Sequence, residues 1–281
     1  MQVIQWFPGH MAKAKREILE VIKLVDLVIE LKDARIPYSS TNPMIDEIVG
    51  NKPRLVLLCK SSMADSVVTK SWIDYYNAKG IIALDIDSIT GYHLKDVIKY
   101  AKKCLDKVFL ERKKKGITSE RIKAMILGIP NVGKSTLINA LAKRKATTVG
   151  DRPGVTKHQS WIKVSEDLFL LDTPGILWPK FEDQEVGLKL AMCGSIKDDI
   201  LDISAIVLKS IEYLMIYYPD KLIERYNIIL TNPQDILEQI GKKRGFLLKG
   251  GIVDIDRVNT MFLNELRSTR IGVMSYERPK D

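Results

Sequence analysis

Short apolar runs alternate with amphipathic stretches through the first two thirds of the chain, and then the rhythm changes. Asp26 to Leu31, Arg54 to Leu58 and Ile81 to Asp85 are rich in Val, Ile and Leu, are bounded by polar or turn residues, and predict buried strands. A helix with Met11, Ile18, Val21 and Ile22 on one face precedes the first of them. Asn42-Pro43 supplies the cap and first turn of a short helix running to Gly50. Ser66 is placed to cap a helix that holds Trp72 and Tyr75 and ends at Gly80. One long helix, from about Tyr92 to Lys115, is expected to lead into a fourth strand, Ile122 to Leu127. Ser160 to Val164 and Leu168 to Leu171 have hairpin spacing. Beyond Phe181 only helical spacing is left, in Asp198 to Tyr217, Lys221 to Tyr226, Pro233 to Ile240 and Ile255 to Leu266. The pattern predicts an α/β domain over 1–180 with a doubly wound, mainly parallel sheet, followed by a small all-α domain over 181–281.

The fourth strand runs into Gly128-Ile-Pro-Asn-Val-Gly-Lys-Ser-Thr136, which fits the pattern GxxxxGK[ST] in full, and a helical stretch follows it. Strand, glycine loop and helix N-terminus form an anion site, because amides converge and the helix dipole adds positive potential. The loop segment Asn131, Val132, Gly133, Lys134, Ser135 and Thr136 is therefore expected to hold a nucleotide's phosphates. Lys134 would reach the β- and γ-phosphates, and the Ser135 hydroxyl would ligate Mg2+. Asp172, 44 positions after Gly128 at the end of a predicted strand, stands where such folds place the acid that holds Mg2+ through water. Gly175 could offer an amide to the γ-phosphate, and Thr156 a second hydroxyl to Mg2+, making a two-segment switch. The polar stretch from Lys143 to His158 is too long for a plain connection, so function is expected there.

Composition narrows the setting. Each apolar run is broken by charge well short of a membrane span, and the N-terminus has no continuous apolar signal segment, so a cytoplasmic protein without a membrane span is expected. Cys59, Cys104 and Cys193 match no metal spacing and predict buried thiols in a reducing compartment. The net charge of +9 lies wholly before residue 180, since the rest holds 15 Lys+Arg against 16 Asp+Glu. Between Lys102 and Lys123 nine basic residues face three acidic ones, which suits either a solvated helix face or a nucleic-acid backbone.

The order of the motifs carries a resemblance. Asp33-Ala-Arg35 and a lysine-containing strand end at Cys59-Lys60-Ser61-Ser62 come before the glycine loop rather than after it. With Phe7-Pro-Gly-His-Met11, Pro153-Gly-Val-Thr156, Asp172-Thr-Pro-Gly175 and Leu177 to Ala191, the chain resembles the circularly permuted ribosome biogenesis GTPase A family over nearly its whole length. The resemblance implies a GTP/GDP site, Mg2+, possible K+ at Asn131, and a partner in the large (50S) ribosomal subunit precursor and its rRNA. It implies that His10 positions or activates water. It further implies that Cys59, Lys60, Ser61 and Ser62 meet the base, with Asp87 and Ser88 at its other edge. One departure matters: the family pattern has Asn-Lys-x-Asp where this chain has Cys59-Lys60-Ser61-Ser62. A serine cannot receive both donors of a guanine edge, so weakened base discrimination is expected. Ile176 follows Gly175 where many GTPases carry a water-orienting Gln, so intrinsic hydrolysis is expected to be slow. The expected function is a GTPase acting as a timer in large-subunit assembly. The alternatives are a low-turnover nucleotide-binding RNA scaffold and, on the same loop, a small-molecule kinase or ATPase.

Overall fold

The computed structural model describes Arg16 and residues 18–142, 160–172, 183–198 and 201–279. The branched and aliphatic runs all become strands: β1 (Leu27–Asp33), β2 (Arg54–Cys59), β3 (Ile82–Asp85), β4 (Ile122–Gly128), β5 (Ser160–Lys163) and β6 (Leu168–Asp172). They form one sheet in the order β3-β2-β1-β4-β6-β5, parallel except for the β5–β6 hairpin. The fold is therefore the mainly parallel α/β class that the alternating pattern predicts. Chain order runs outward from β1 to β3 on one side and from β4 on the other, so it reverses between β1 and β4. Loops leaving the two strands at that point diverge and open a crevice at their carboxyl ends.

β1 shows why a hydrophobic pattern alone understates a sheet. All seven of its residues are buried, including Glu30, Lys32 and Asp33. Glu30 survives inside because Arg54 of β2 lies 2.7 Å from it and Lys32 3.3 Å away. Lys32 also donates to Thr41 at 2.6 Å and lies over the Tyr76 ring. Helix α2 (Ser66–Ala78) seals this region, with Trp72, Val68 and Tyr76 packed on Val56, Leu58 and Ala83.

Helix α1 is Met44–Val49, with Asn42 accepting from the Met44 amide at 3.0 Å. The start of α2 corrects the expected cap. Asp65, not Ser66, takes that role, accepting from the amides of Val67 and Val68, because a carboxylate one residue earlier reaches both. The expected long helix is two, α3 (Asp96–Cys104) and α4 (Asp106–Lys114). Leu105 separates them with φ −106° and ψ 8°, and it is wholly buried while no residue of α4 is. One side chain turned into the core thus separates the two helices, the second of which buries no residue fully. Within the basic run, Lys102 pairs with Glu120 and Asp167, and Arg112 with Asp26, so part of that charge is used internally. Helix α5 (Lys134–Ala142) follows β4.

The chain divides into two compact units, and the division is not a single cut. One holds Phe181–Tyr276, while Glu277 onward belongs with the sheet. The Glu277 carboxylate accepts from the amides of Tyr38 (2.7 Å) and Ser39 (3.1 Å) and from the Ser39 hydroxyl, and its carbonyl accepts from Trp72 Nε1 at 3.3 Å. A segment 238 residues away in sequence therefore clasps the loop after β1.

The helical unit consists of α6 (Gln184–Met192), α7 (Ile203–Tyr217), α8 (Pro219–Tyr226), α9 (Pro233–Arg244) and α10 (Ile255–Arg267). α7 begins five residues later than Asp198, because Asp202 caps it by accepting from the Ala205 amide. Lys242, Lys243 and Arg244 form the last turn of α9, and Gly245 ends it with φ +68°. Glu265 of α10 binds Arg225 at 2.9 Å and Tyr226 at 3.0 Å, and burial with that carboxylate pushes the Tyr226 hydroxyl far above its ordinary range. Gly241 faces Val253 so closely that an added Cβ would collide with it and lie 3.0 Å from Val258 Cγ2. Gly241→Ala is expected to destabilise this unit by about 1–3 kcal/mol through overpacking, read as a lower midpoint in chemical denaturation. No helix among the described residues is long and apolar enough to cross a membrane.

Candidate nucleotide site

The carboxyl ends of β1, β2 and β4 lie side by side, with Leu31 opposite Gly128 and Asp33 opposite Cys59. Gly128 is fixed by this closeness: a Cβ there would meet Val132 Cγ1 at 3.0 Å, Leu31 Cβ at 3.1 Å and the Leu31 carbonyl at 3.2 Å. The loop then takes two left-handed residues, Asn131 at φ +59° and Gly133 at φ +107°. That sequence of conformations turns the chain back so that α5 starts at Lys134 over the end of β4. Amides in such a turn, joined to a helix N-terminus, make a concave anion receptor. Lys134 is only 8% exposed, and Val132 is buried beneath the loop. Ser135 and Thr136 are half-buried in the first turn of α5.

Lys60 joins the predicted base segment to this loop. It sits at φ +58°, and its Nζ donates to the Asn131 carbonyl at 2.7 Å and to Asp33 Oδ2 at 3.1 Å. Asp33 is gripped on its other side by Arg35, whose Nε and Nη2 donate at 2.9 and 2.8 Å. Burial would raise the Asp33 carboxyl, but the Arg35 guanidinium and the Lys60 ammonium outweigh it and hold it well below the usual carboxylate range. Asp33 was visible only as part of a motif, and the acid-x-Arg spacing at a strand end was the signal for this pairing.

The other base-segment residues divide by exposure. Cys59 is buried, its thiol faces the Leu57 carbonyl, and burial pushes its pKa up. Ser61 donates its amide to the Ile86 carbonyl at 3.1 Å, which ties the loop after β2 to the end of β3. Ser62 is exposed, and its hydroxyl donates to Asp87 Oδ2. Asp87 Oδ1 accepts from the amides of Ile89 and Thr90 at 2.8 and 3.0 Å, closing the turn that presents Ser88. The structure thus brings together Lys60 with Asn131, and Ser62 with Asp87. Asp172 ends β6, which lies beside β4 in parallel with Met125 opposite Leu171. His10, Thr156 and Gly175 lie outside the described residues, as does Ile176.

Comparison with known proteins accords with this geometry. The chain is 52% identical to the ribosome biogenesis GTPase A of Priestia megaterium over 99% of its length and 98% of that protein's. It is 32% identical to the protein of the same name from Thermotoga maritima, over 99% of this chain and 95% of that one. The chain belongs to the ribosome biogenesis GTPase A family. As a member it is a GTPase. A family described as 50S ribosome-binding GTPase matches residues 123–236. Among solved structures, the GNP-bound YlqF of Thermotoga maritima aligns with a TM-score of 0.66 and 28% identity, over 96% of this chain and 99% of that one. A GDP-bound YlqF structure aligns at 0.67 and 27% identity, over 95% and 100%.

Proposed function

We propose that this GTPase hydrolyses GTP to GDP and phosphate as a switch in assembly of the large ribosomal subunit, binding the precursor particle and its rRNA while GTP is bound. The observation that carries the reading is the Lys60 bridge: its bond to the Asn131 carbonyl sets a base-facing loop against a phosphate-binding loop at the point where strand order reverses. Family membership supports the ribosomal role. The base-loop strand β2 precedes the phosphate-loop strand β4 in the chain, which is the order a circularly permuted GTPase would have. The sheet with its clasp would be the GTPase domain, and the helical unit the rRNA-binding one. The basic turn Lys242–Arg244 and the remaining cations of Lys102 to Lys123 would meet phosphates.

In the reaction, water attacks the γ-phosphate in line, and the loop amides with Lys134 stabilise the charge that develops. Ser135, in the first turn of the helix that follows β4, and Asp172, at the end of the neighbouring parallel strand β6, are the residues that would hold Mg2+, with Thr156 joining them. A hydroxyl and one acid suit an ion that keeps waters and phosphate oxygens as its other ligands. Bound Mg2+ would neutralise phosphate charge. Asn131, in its left-handed conformation at the rim of the loop, would hold K+. His10 would position water, and Gly175 would sense the γ-phosphate. A cytoplasmic setting follows from the ribosomal role.

Phosphate release from GTP and from ATP, in potassium buffer with and without purified large subunits, tests this. Stimulation by subunits confined to GTP is the expected result. Nucleotide binding with no stimulation would instead favour a scaffold of low turnover, and equal rates with ATP would show a base site without selection.

A further inference from the structure

Resting on the GTPase reading, we infer that Asp87, acting with Ser62, supplies the carboxylate that reads the N1–H and 2-amino edge of guanine, a charge that position 62 itself lacks. That edge presents two adjacent donors, and a hydroxyl alone can accept only weakly from both. A negative acceptor beside it makes the bonds charge-assisted. Beside Glu277, which is held by Tyr38 and Ser39, four aspartates lie at or just after the ends of β1, β2 and β3. Asp33 is buried and taken up by Arg35 and Lys60. Asp65 caps α2. Asp85 lies 3.3 Å from His93 Nδ1. Asp87 alone of these four is bonded to Ser62, the exposed residue at the base position.

The bonding pattern suits the role. Oδ1 of Asp87 is used by the Ile89 and Thr90 amides, so the carboxylate is fixed in direction, while Oδ2 faces the Ser62 hydroxyl. A hydroxyl has one proton to give. Donated to Oδ2, it leaves the Ser62 Oγ with only lone pairs to offer, so that two acceptors stand next to each other. The carboxylate polarises that hydroxyl and strengthens it as an acceptor. Burial would raise the Asp87 carboxyl, yet the hydroxyl of Ser62, the amides of Thr90 and Ile89 and that of Ser62 hold it below its ordinary value, so the charge is present at neutral pH. Lys60, two residues before Ser62, anchors the same loop to the phosphate cradle. Acid and hydroxyl are thus both present in the pair, with the acid on the loop after β3.

The test is binding of GDP, IDP, XDP and ADP by titration calorimetry to the full chain and to Asp87→Asn, Asp87→Ser and the transposed Ser62→Asp/Asp87→Ser variant. IDP lacks the 2-amino group, and XDP carries an oxygen in its place. The unaltered protein is expected to bind GDP about tenfold more tightly than IDP. Asp87→Asn keeps an oxygen for the Ile89 and Thr90 amides, so the turn persists. It should lose about tenfold or more in GDP affinity, lose the GDP-over-IDP preference, and gain XDP, whose oxygen can accept from the new amide. Asp87→Ser should lose the preference while still binding GDP, and the transposed variant, which carries the acid on the other loop, should regain it. GDP binding by the unaltered protein, with the GDP, IDP and XDP ratios unchanged in Asp87→Asn, would overturn this inference and leave the GTPase reading standing. No GDP binding by the unaltered protein would overturn both. If Asp87→Asn failed to fold, loss of the GDP-over-IDP preference in a folded Asp87→Ser would still support the inference, and an unchanged preference there would overturn it.

Discussion

Replacing Lys134 by alanine is expected to reduce GTP turnover by about a hundredfold or more, the usual loss when one preorganised donor to developing charge is removed. The side chain is 8% exposed and starts the helix immediately after Gly133, so water has little room to stand in for it. Its loss should separate two quantities. GTP affinity should fall more than GDP affinity, because on the proposed reading the ammonium would reach the last phosphate as well as the middle one. Lys134→Arg should rescue poorly, since a planar guanidinium is wider than the buried ammonium it replaces. Single-turnover phosphate release with saturating GTP measures the chemical step. A turnover within threefold of the unaltered enzyme would remove Lys134 from the mechanism.

The second large effect concerns stability. Asp33→Ala would take from Arg35, itself 2% exposed, the carboxylate with which its buried guanidinium is paired. Breaking one side of a buried pair costs about 3–5 kcal/mol, and Lys60 would lose the contact that steadies it beneath Asn131. The same carboxylate makes stability depend on pH with a definite sign. Its folded pKa is depressed, so its contribution is complete above the ordinary carboxylate value of about 4 and drains away as pH falls below that value. Between about pH 4 and pH 2 the unaltered chain should therefore lose stability more steeply than Asp33→Ala. Parallel slopes in denaturant titrations across that range would show that Asp33 does not carry this dependence.

Much of this fold is legible because its strands are apolar and its glycines are costly to replace. The GxxxxGK[ST] spacing located the loop, and the β5–β6 hairpin followed from two short runs with a tight connection. Other features are written in no local pattern. Glu30 and Lys32 interrupt a strand that is nevertheless buried throughout, because Arg54 from the next strand and Tyr76 from α2 answer them. The helical period through residues 92–115 is real, yet Leu105 breaks it, since burial of one leucine outweighs continuation of the helix. Asp65 caps α2 in place of its neighbour Ser66, a choice that composition alone leaves open. The Ser62–Asp87 bond joins the ends of two neighbouring strands, so only the sheet order reveals it.

The clasp made by Glu277 has a bearing on synthesis. Tyr38 and Ser39 leave the ribosome long before their partner, with the whole helical unit translated in between. At roughly 5–20 residues per second, the 238 intervening positions take roughly ten to fifty seconds. During that interval the strands β1 to β4 can pair while the amides of the loop after β1 are left to water. The sheet is thus closed by residues made after the helical unit. A nascent chain stalled within the helical unit would carry a sheet and a phosphate loop whose neighbouring loop, the one bearing Arg35, still lacks its latch.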